Sequence, residues 1–126
     1  MRDLQILVVE DNERNMRLFR DVLQAAGHRT LAATTGERAV ELATEHAPDL
    51  VLMDIQLPGI DGVEALGRLR SDERTRTVPV LALTAQAMEG DRERFLAAGF
   101  DGYLSKPVNI ADLVGTVRLY GTGDTR

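Results

Sequence analysis

An acidic pair, Glu10-Asp11, and a single Asp54 each end an apolar run, Leu4-Gln5-Ile6-Leu7-Val8-Val9 and Leu50-Val51-Leu52-Met53 respectively. Leu57-Pro58-Gly59 closes the second run with a turn. Apolar stretches of this length read as strands buried on both faces of a parallel sheet. The carboxylates then fall at strand carboxyl ends, where open α/β sheets place their chemistry. Like charges gathered on one rim raise one another's pKa unless a cation neutralises them. An oxygen-only donor set suits a hard cation such as Mg²⁺, which takes one or two carboxylates, some waters and a phosphate oxygen. Zinc is disfavoured, because cysteine is absent and His28 and His46 lie outside the acidic runs.

Thr84 ends the run Val80-Leu81-Ala82-Leu83, and Lys106 ends Tyr103-Leu104-Ser105. Both belong on the same rim. A hydroxyl and an ammonium beside metal-bound carboxylates are what a phosphoryl group requires, one oxygen for each partner. Asp54 would be the nucleophile, since a carboxylate forms an aspartyl phosphate. Taken singly, Thr84 reads as a helix cap and Lys106 as a surface charge. A solvated acidic rim accounts for two carboxylates but strains for three.

The elements that must position these residues alternate along the chain. Strand-like runs are Leu4 to Val9, a weaker Thr30 to Ala33, Leu50 to Met53, Val78 to Leu83 and Tyr103-Leu104. Helix-period segments are Glu13 to Ala26, Gly36 to Ala47, Val63 to Arg70, Met88 to Ala98 and Ile110 to Leu119. This order implies a doubly wound parallel sheet with right-handed crossovers. One domain over residues 1–120 is expected, followed by a polar tail over residues 121–126. Thr34 and Glu37 have capping-box spacing, Asn109 is a candidate N-cap, and Gly27 and Gly99 are candidate helix stops. Pro79 suits the start of a strand. On the first helix Met16, Phe19, Val22, Leu23 and Ala26 share a face with Leu18 at its margin. Ordinary packing is the preferred reading of that arc, and a partly exposed margin around Leu18 and Met16 that docks a partner helix is the alternative.

Composition excludes several function classes. A net charge of −5, with Arg92 and Arg94 alternating with Asp91 and Glu93 as on a solvated helix face, argues against a nucleic-acid surface. Trp is absent, so stacking platforms for bases are not expected. The first apolar run is too short for a signal peptide, and no run is long enough to span a bilayer. A cytoplasmic protein is expected.

Four segments then carry a resemblance. They are Val8-Val9-Glu10-Asp11-Asn12, Asp54 through Gly62, Leu83-Thr84-Ala85, and Tyr103-Leu104-Ser105-Lys106-Pro107. From Ile6 to Leu119 the chain resembles the receiver domain of bacterial response regulators, in particular stand-alone CheY-like and DivK-like receivers. The resemblance implies a flavodoxin-like sheet of order 2-1-3-4-5 with five helices. It implies that Asp54 accepts a phosphoryl group from a phosphohistidine on a sensor histidine kinase or histidine phosphotransferase. Mg²⁺ would be held by Glu10, Asp11, Asp54 and the backbone carbonyl of Gln56. Thr84 and Lys106 would sense the phosphoryl group, Tyr103 would be a rotameric switch, and Pro107 would follow a cis bond. The output would pass to a protein target or onward by phosphotransfer. Gln56 and Gln86 occupy positions that modulate the acyl phosphate's lifetime in such domains, and Ala85 leaves the approach open. Asn15 is read as a first-turn capping residue, and His28 and His46 as surface residues.

Two readings compete. A phosphorylation-independent adaptor of the same fold would often lack one of the acids, Thr84 or Lys106. An aspartate-nucleophile phosphatase would want an acid where Gln56 stands. A dinucleotide enzyme is excluded, since no glycine-rich loop follows the first strand.

Overall fold

The computed structural model describes residues 4–85 and 90–122. Five strands and five helices alternate: β1 (Gln5–Val9), α1 (Glu13–Ala25), β2 (Arg29–Ala33), α2 (Gly36–His46), β3 (Leu50–Asp54), α3 (Gly62–Arg70), β4 (Val80–Thr84), α4 (Asp91–Ala98), β5 (Gly102–Ser105) and α5 (Ile110–Thr122). The strands form one parallel sheet in the order β2-β1-β3-β4-β5, as the resemblance implied. Every residue of β3 and β4 is buried, whereas β2 and β5 at the edges are partly exposed.

Period-two alternation sends side chains to two cores. Leu7, Val9, Val51, Met53, Val80 and Ala82 meet α2, α3 and Phe95 of α4. Ile6, Val8, Leu50, Leu52, Leu81 and Leu83 meet Met16, Phe19 and Leu23 of α1 and Leu113 and Val117 of α5. A sheet clad on both faces explains why its strands read as continuous apolar runs. On α1, Leu18 is exposed while Met16 is buried, so the apolar margin is Leu18 alone.

The register brings the strand ends together. Val9 pairs with Met53, so the next residues, Glu10 and Asp54, are neighbours. Asp54 pairs with Leu83, just before Thr84, and Thr84 pairs with Ser105, just before Lys106.

Several local expectations are met and several corrected. Gly27 and Gly99 have φ of 97° and 112° and close their helices, and the Asn109 side chain accepts from the Asp112 N–H. Helix α2 begins at Gly36, so Thr35 rather than Thr34 is its N-cap, accepting from Arg38 N at 3.1 Å. Thr34 is one residue too early for its oxygen to reach that amide. Strand β4 starts at Val80, one residue after Pro79, whose carbonyl accepts from Val51 N. Asp91 is not on a solvated face: it is buried and pairs with Arg94 at 2.9 Å. Helix α5 continues to Thr122, beyond the expected tail boundary at residue 121, with Leu113, Val117 and Tyr120 keeping helical spacing against the core. The expected helix start at Met88, and Gln86, lie outside the described residues.

Gly62 opens α3 directly beneath the end of β3. A Cβ there would collide with the Asp54 carbonyl oxygen and lie 2.9 Å from Ile55 Cα, and neither backbone atom can step aside. Gly67, in the same helix, has open space around it. Denaturant unfolding of Gly62→Ala should therefore show a loss of about 1–3 kcal/mol or more. Gly67→Ala should gain roughly 0.5–1 kcal/mol from helix propensity.

Candidate functional site

The carboxyl ends of β1, β3, β4 and β5 border a cavity of about 470 Å³. Glu10, Asp11, Asp54, Gln56, Thr84 and Lys106, all singled out from sequence, line it together with Asn12, Asn15 and Ala85. Glu10 and Asp54 are buried at the strand ends, and Asp11 is exposed one residue further on. Each of the three acids offers an oxygen within 4.8 Å of the others.

One ammonium holds the two buried acids. Lys106 Nζ lies 2.9 Å from Asp54 Oδ2 and 2.7 Å from Glu10 Oε1. Backbone pairing aims it there, since Lys106 N donates to the Thr84 carbonyl at 2.7 Å and the Lys106-Pro107 peptide is cis, as expected. Asp54 Oδ1 accepts from Gln56 N at 3.0 Å, and Glu10 Oε2 accepts from Asn12 N at 3.1 Å. Burial pushes the Glu10 carboxyl up from its ordinary value, against the opposing pull of Lys106 and the Asn12 N–H. Burial alone would lower Lys106, but its hydrogen bond to Asp54 and its ion pair with Glu10 outweigh this and hold it above the ordinary lysine range.

A hard cation fits this donor set. The donors are oxygens, the cluster carries three carboxylates against one ammonium, and buried Glu10 Oε1 makes no aligned hydrogen bond among the described residues. Its close approach to Lys106 is an ion pair without hydrogen-bond geometry. These three acids are the one such cluster among the described residues.

Other expectations land elsewhere. Tyr103 is half-buried outside the cavity, its ring centroid 5.8 Å from that of Phe95. His28 is buried, contrary to the surface reading, and its Nδ1 accepts from Leu4 N at 3.0 Å at the amino end of β1. Capping an otherwise unpaired strand amide draws the ring inward. His46 is exposed. The capping side chain of α1 belongs to Asn12, whose Oδ1 accepts from Asn15 N at 3.0 Å. Asn15 thus receives the cap with its backbone and turns a half-buried side chain to the cavity wall. The Asn-x-x-Asn spacing directly after the acid pair was the signal for this arrangement.

Coulomb's law bounds the repulsion in the cluster. Two unit charges 4.8 Å apart repel by about 0.9 kcal/mol in water and about 3.5 kcal/mol at an effective dielectric of 20. Because Asp11 is exposed, the lower figure applies to it. Without divalent cations, Asp11→Asn should gain about 1 kcal/mol in urea unfolding, a gain that shrinks in molar salt. Its affinity for Mg²⁺ should fall at the same time. A variant less stable than the parent in low salt would contradict this charge assignment.

Comparison with known proteins agrees with the fold and the site. A sequence model of the family described as "Response regulator receiver domain" matches residues 6–118. The polar-differentiation response regulator DivK of Brucella ovis is 47% identical over 115 residues, covering 91% of this chain and 94% of the relative. A putative response regulator from Chloroflexus aurantiacus superposes with a TM-score of 0.89 at 32% identity, over 96% of this chain and 99% of that one. The receiver domain of sensor histidine kinase PA1611 from Pseudomonas aeruginosa, solved with a magnesium ion coordinated in its active-site cleft, gives a TM-score of 0.86 at 38% identity. That match covers 97% of this chain and 99% of the other. Sheet order, acid cluster and sequence together assign this chain to the response regulator receiver domain family.

Proposed function

We propose that Asp54 accepts a phosphoryl group from a partner's phosphohistidine and that the domain signals through the rearrangement this causes. The observation that carries the proposal is Lys106, whose ammonium bridges Asp54 and Glu10 beside Asp11. In the resting state this lysine neutralises carboxylates. Once Asp54 becomes an acyl phosphate, the most favourable partner of Lys106 is the new dianion.

The roles divide as follows. Glu10, Asp11, Asp54 and the backbone carbonyl of Gln56 would hold a Mg²⁺ ion, which when bound neutralises charge on the phosphoryl oxygens. The Asp54 carboxylate attacks phosphorus, the bond from phosphorus to the donor's nitrogen breaks, and its electron pair leaves with the imidazole. Lys106 turns to one phosphoryl oxygen and the Thr84 hydroxyl donates to another. A phosphoryl group carries about −1.5 to −2 charge, enough to draw a strand-end hydroxyl inward. Tyr103 follows Thr84, shifting the surface of α4, β5 and α5 between two arrangements. Partners are a sensor histidine kinase or a histidine phosphotransferase upstream and a protein target downstream, in the cytoplasm. Among the described residues no helix is long and apolar enough to cross a membrane.

Two experiments test these roles. Asp54→Asn should keep its far-ultraviolet circular dichroism yet gain no phosphoryl mass from acetyl phosphate and Mg²⁺; undiminished labelling would sink the assignment. Lys106→Met should still bind Mg²⁺ and leave Tyr103 and its surroundings insensitive to phosphorylation by NMR. A full phosphorylation-induced shift in that variant would remove the lysine from the switch.

A further inference from the structure

Asn15 sits where two cavities meet. Its side chain lines the acidic cavity and also a second one of about 340 Å³, walled by Leu18, Phe19, Pro107 and Val108. Ala85 and Lys106 border both, so the two adjoin at the rim. The Asn12 cap fixes the Asn15 backbone at 3.0 Å, and the Asn15 carboxamide makes no hydrogen bond of its own among the described residues. A half-buried amide with unused donor and acceptor capacity thus stands at the junction of a charged chamber and an apolar groove.

From this placement we propose that Asn15 binds the leaving group of an imidazole phosphodonor, an inference that rests on Asp54 being the phosphoryl acceptor. A donor whose phosphoryl group occupies the acidic cavity carries its leaving group out across the rim, and on the α1 side that rim is the groove. The groove's apolar walls suit the faces of a flat ring. Asn15 Oδ1 suits a single N–H at the ring's edge. In phosphoimidazole the ring is cationic before transfer, so the bond to Asn15 is charge-assisted. The Asp54 oxygen bonds to phosphorus, the phosphorus–nitrogen bond breaks and its electron pair stays on that nitrogen. The other ring nitrogen keeps its proton, so neutral imidazole departs and no proton need move. Acetyl phosphate offers no such N–H and leaves as acetate, so the carboxamide oxygen does nothing for it.

The test compares two donors on one protein. With Mg²⁺ fixed, Asn15→Leu should lose about tenfold in labelling rate from phosphoimidazole, the worth of one charge-assisted hydrogen bond. Its loss with acetyl phosphate should be far smaller, so that the ratio of the two rates falls about tenfold. Asn15→Ala, which keeps good helix propensity, should show the same split and serves if the leucine variant misfolds. Equal losses with both donors, or no loss with either, would overturn the proposal. Wild-type protein labelled by neither donor would instead bring down the acceptor role of Asp54, and the inference with it. Asp54→Asn should lose both donors together, which separates acceptor from leaving-group binder.

Discussion

The arrangement depends on keeping carboxylates together at the mouth of a sheet. Glu10 and Asp54 are buried and adjacent, Asp11 is close by, and the Lys106 ammonium alone among the described residues pairs with both buried acids. Removing one partner of such a buried pair typically costs 3–5 kcal/mol, because it leaves a charge uncompensated. The fold tolerates this strain because hydrogen bonds from Asn12 N and Gln56 N satisfy further carboxylate oxygens. What remains is a site with three carboxylates and, pairing with the two buried ones, a single ammonium. Such a site is poised to take up a divalent ion and to respond when one carboxylate becomes an acyl phosphate.

Parallel pairing turns this local tension into a device. Because the strands run the same way, one register step places Glu10, Asp54, Thr84 and Lys106 on one rim while their preceding residues are locked in the ladder. Tyr103 lies on partly exposed edge strand β5, packed against Phe95 of α4. It is therefore on an element with fewer contacts to hold it than β3 or β4. The interior of the sheet is stiff, and its rim and edge are where a signal can be expressed.

The sequence was legible where burial is two-sided. Continuous apolar runs ending in Asp54, Thr84 and the acid pair pointed to strands and to their chemistry at once, since little else in an α/β domain produces that pattern. Edges and caps were harder to read. Thr34 and Thr35 both satisfy composition rules for an N-cap, and the bond that Thr35 Oγ1 accepts from Arg38 N marks the one that α2 uses. His28 and Asp91 look like surface residues because their partners are distant in sequence or hidden in a helix turn. Asn15 looks like a cap from its place in the first turn, whereas the capping side chain is that of Asn12 three residues earlier.

The central claim is that Asp54 carries the phosphoryl group. The most direct measurement is borohydride reduction of protein phosphorylated with acetyl phosphate and Mg²⁺, followed by peptide mapping by mass spectrometry. Reduction converts an aspartyl phosphate to homoserine, so the account predicts homoserine at position 54 alone. Homoserine at Asp11 or Glu10's reduced counterpart, or a phosphoryl group retained on His28 or His46, would contradict it.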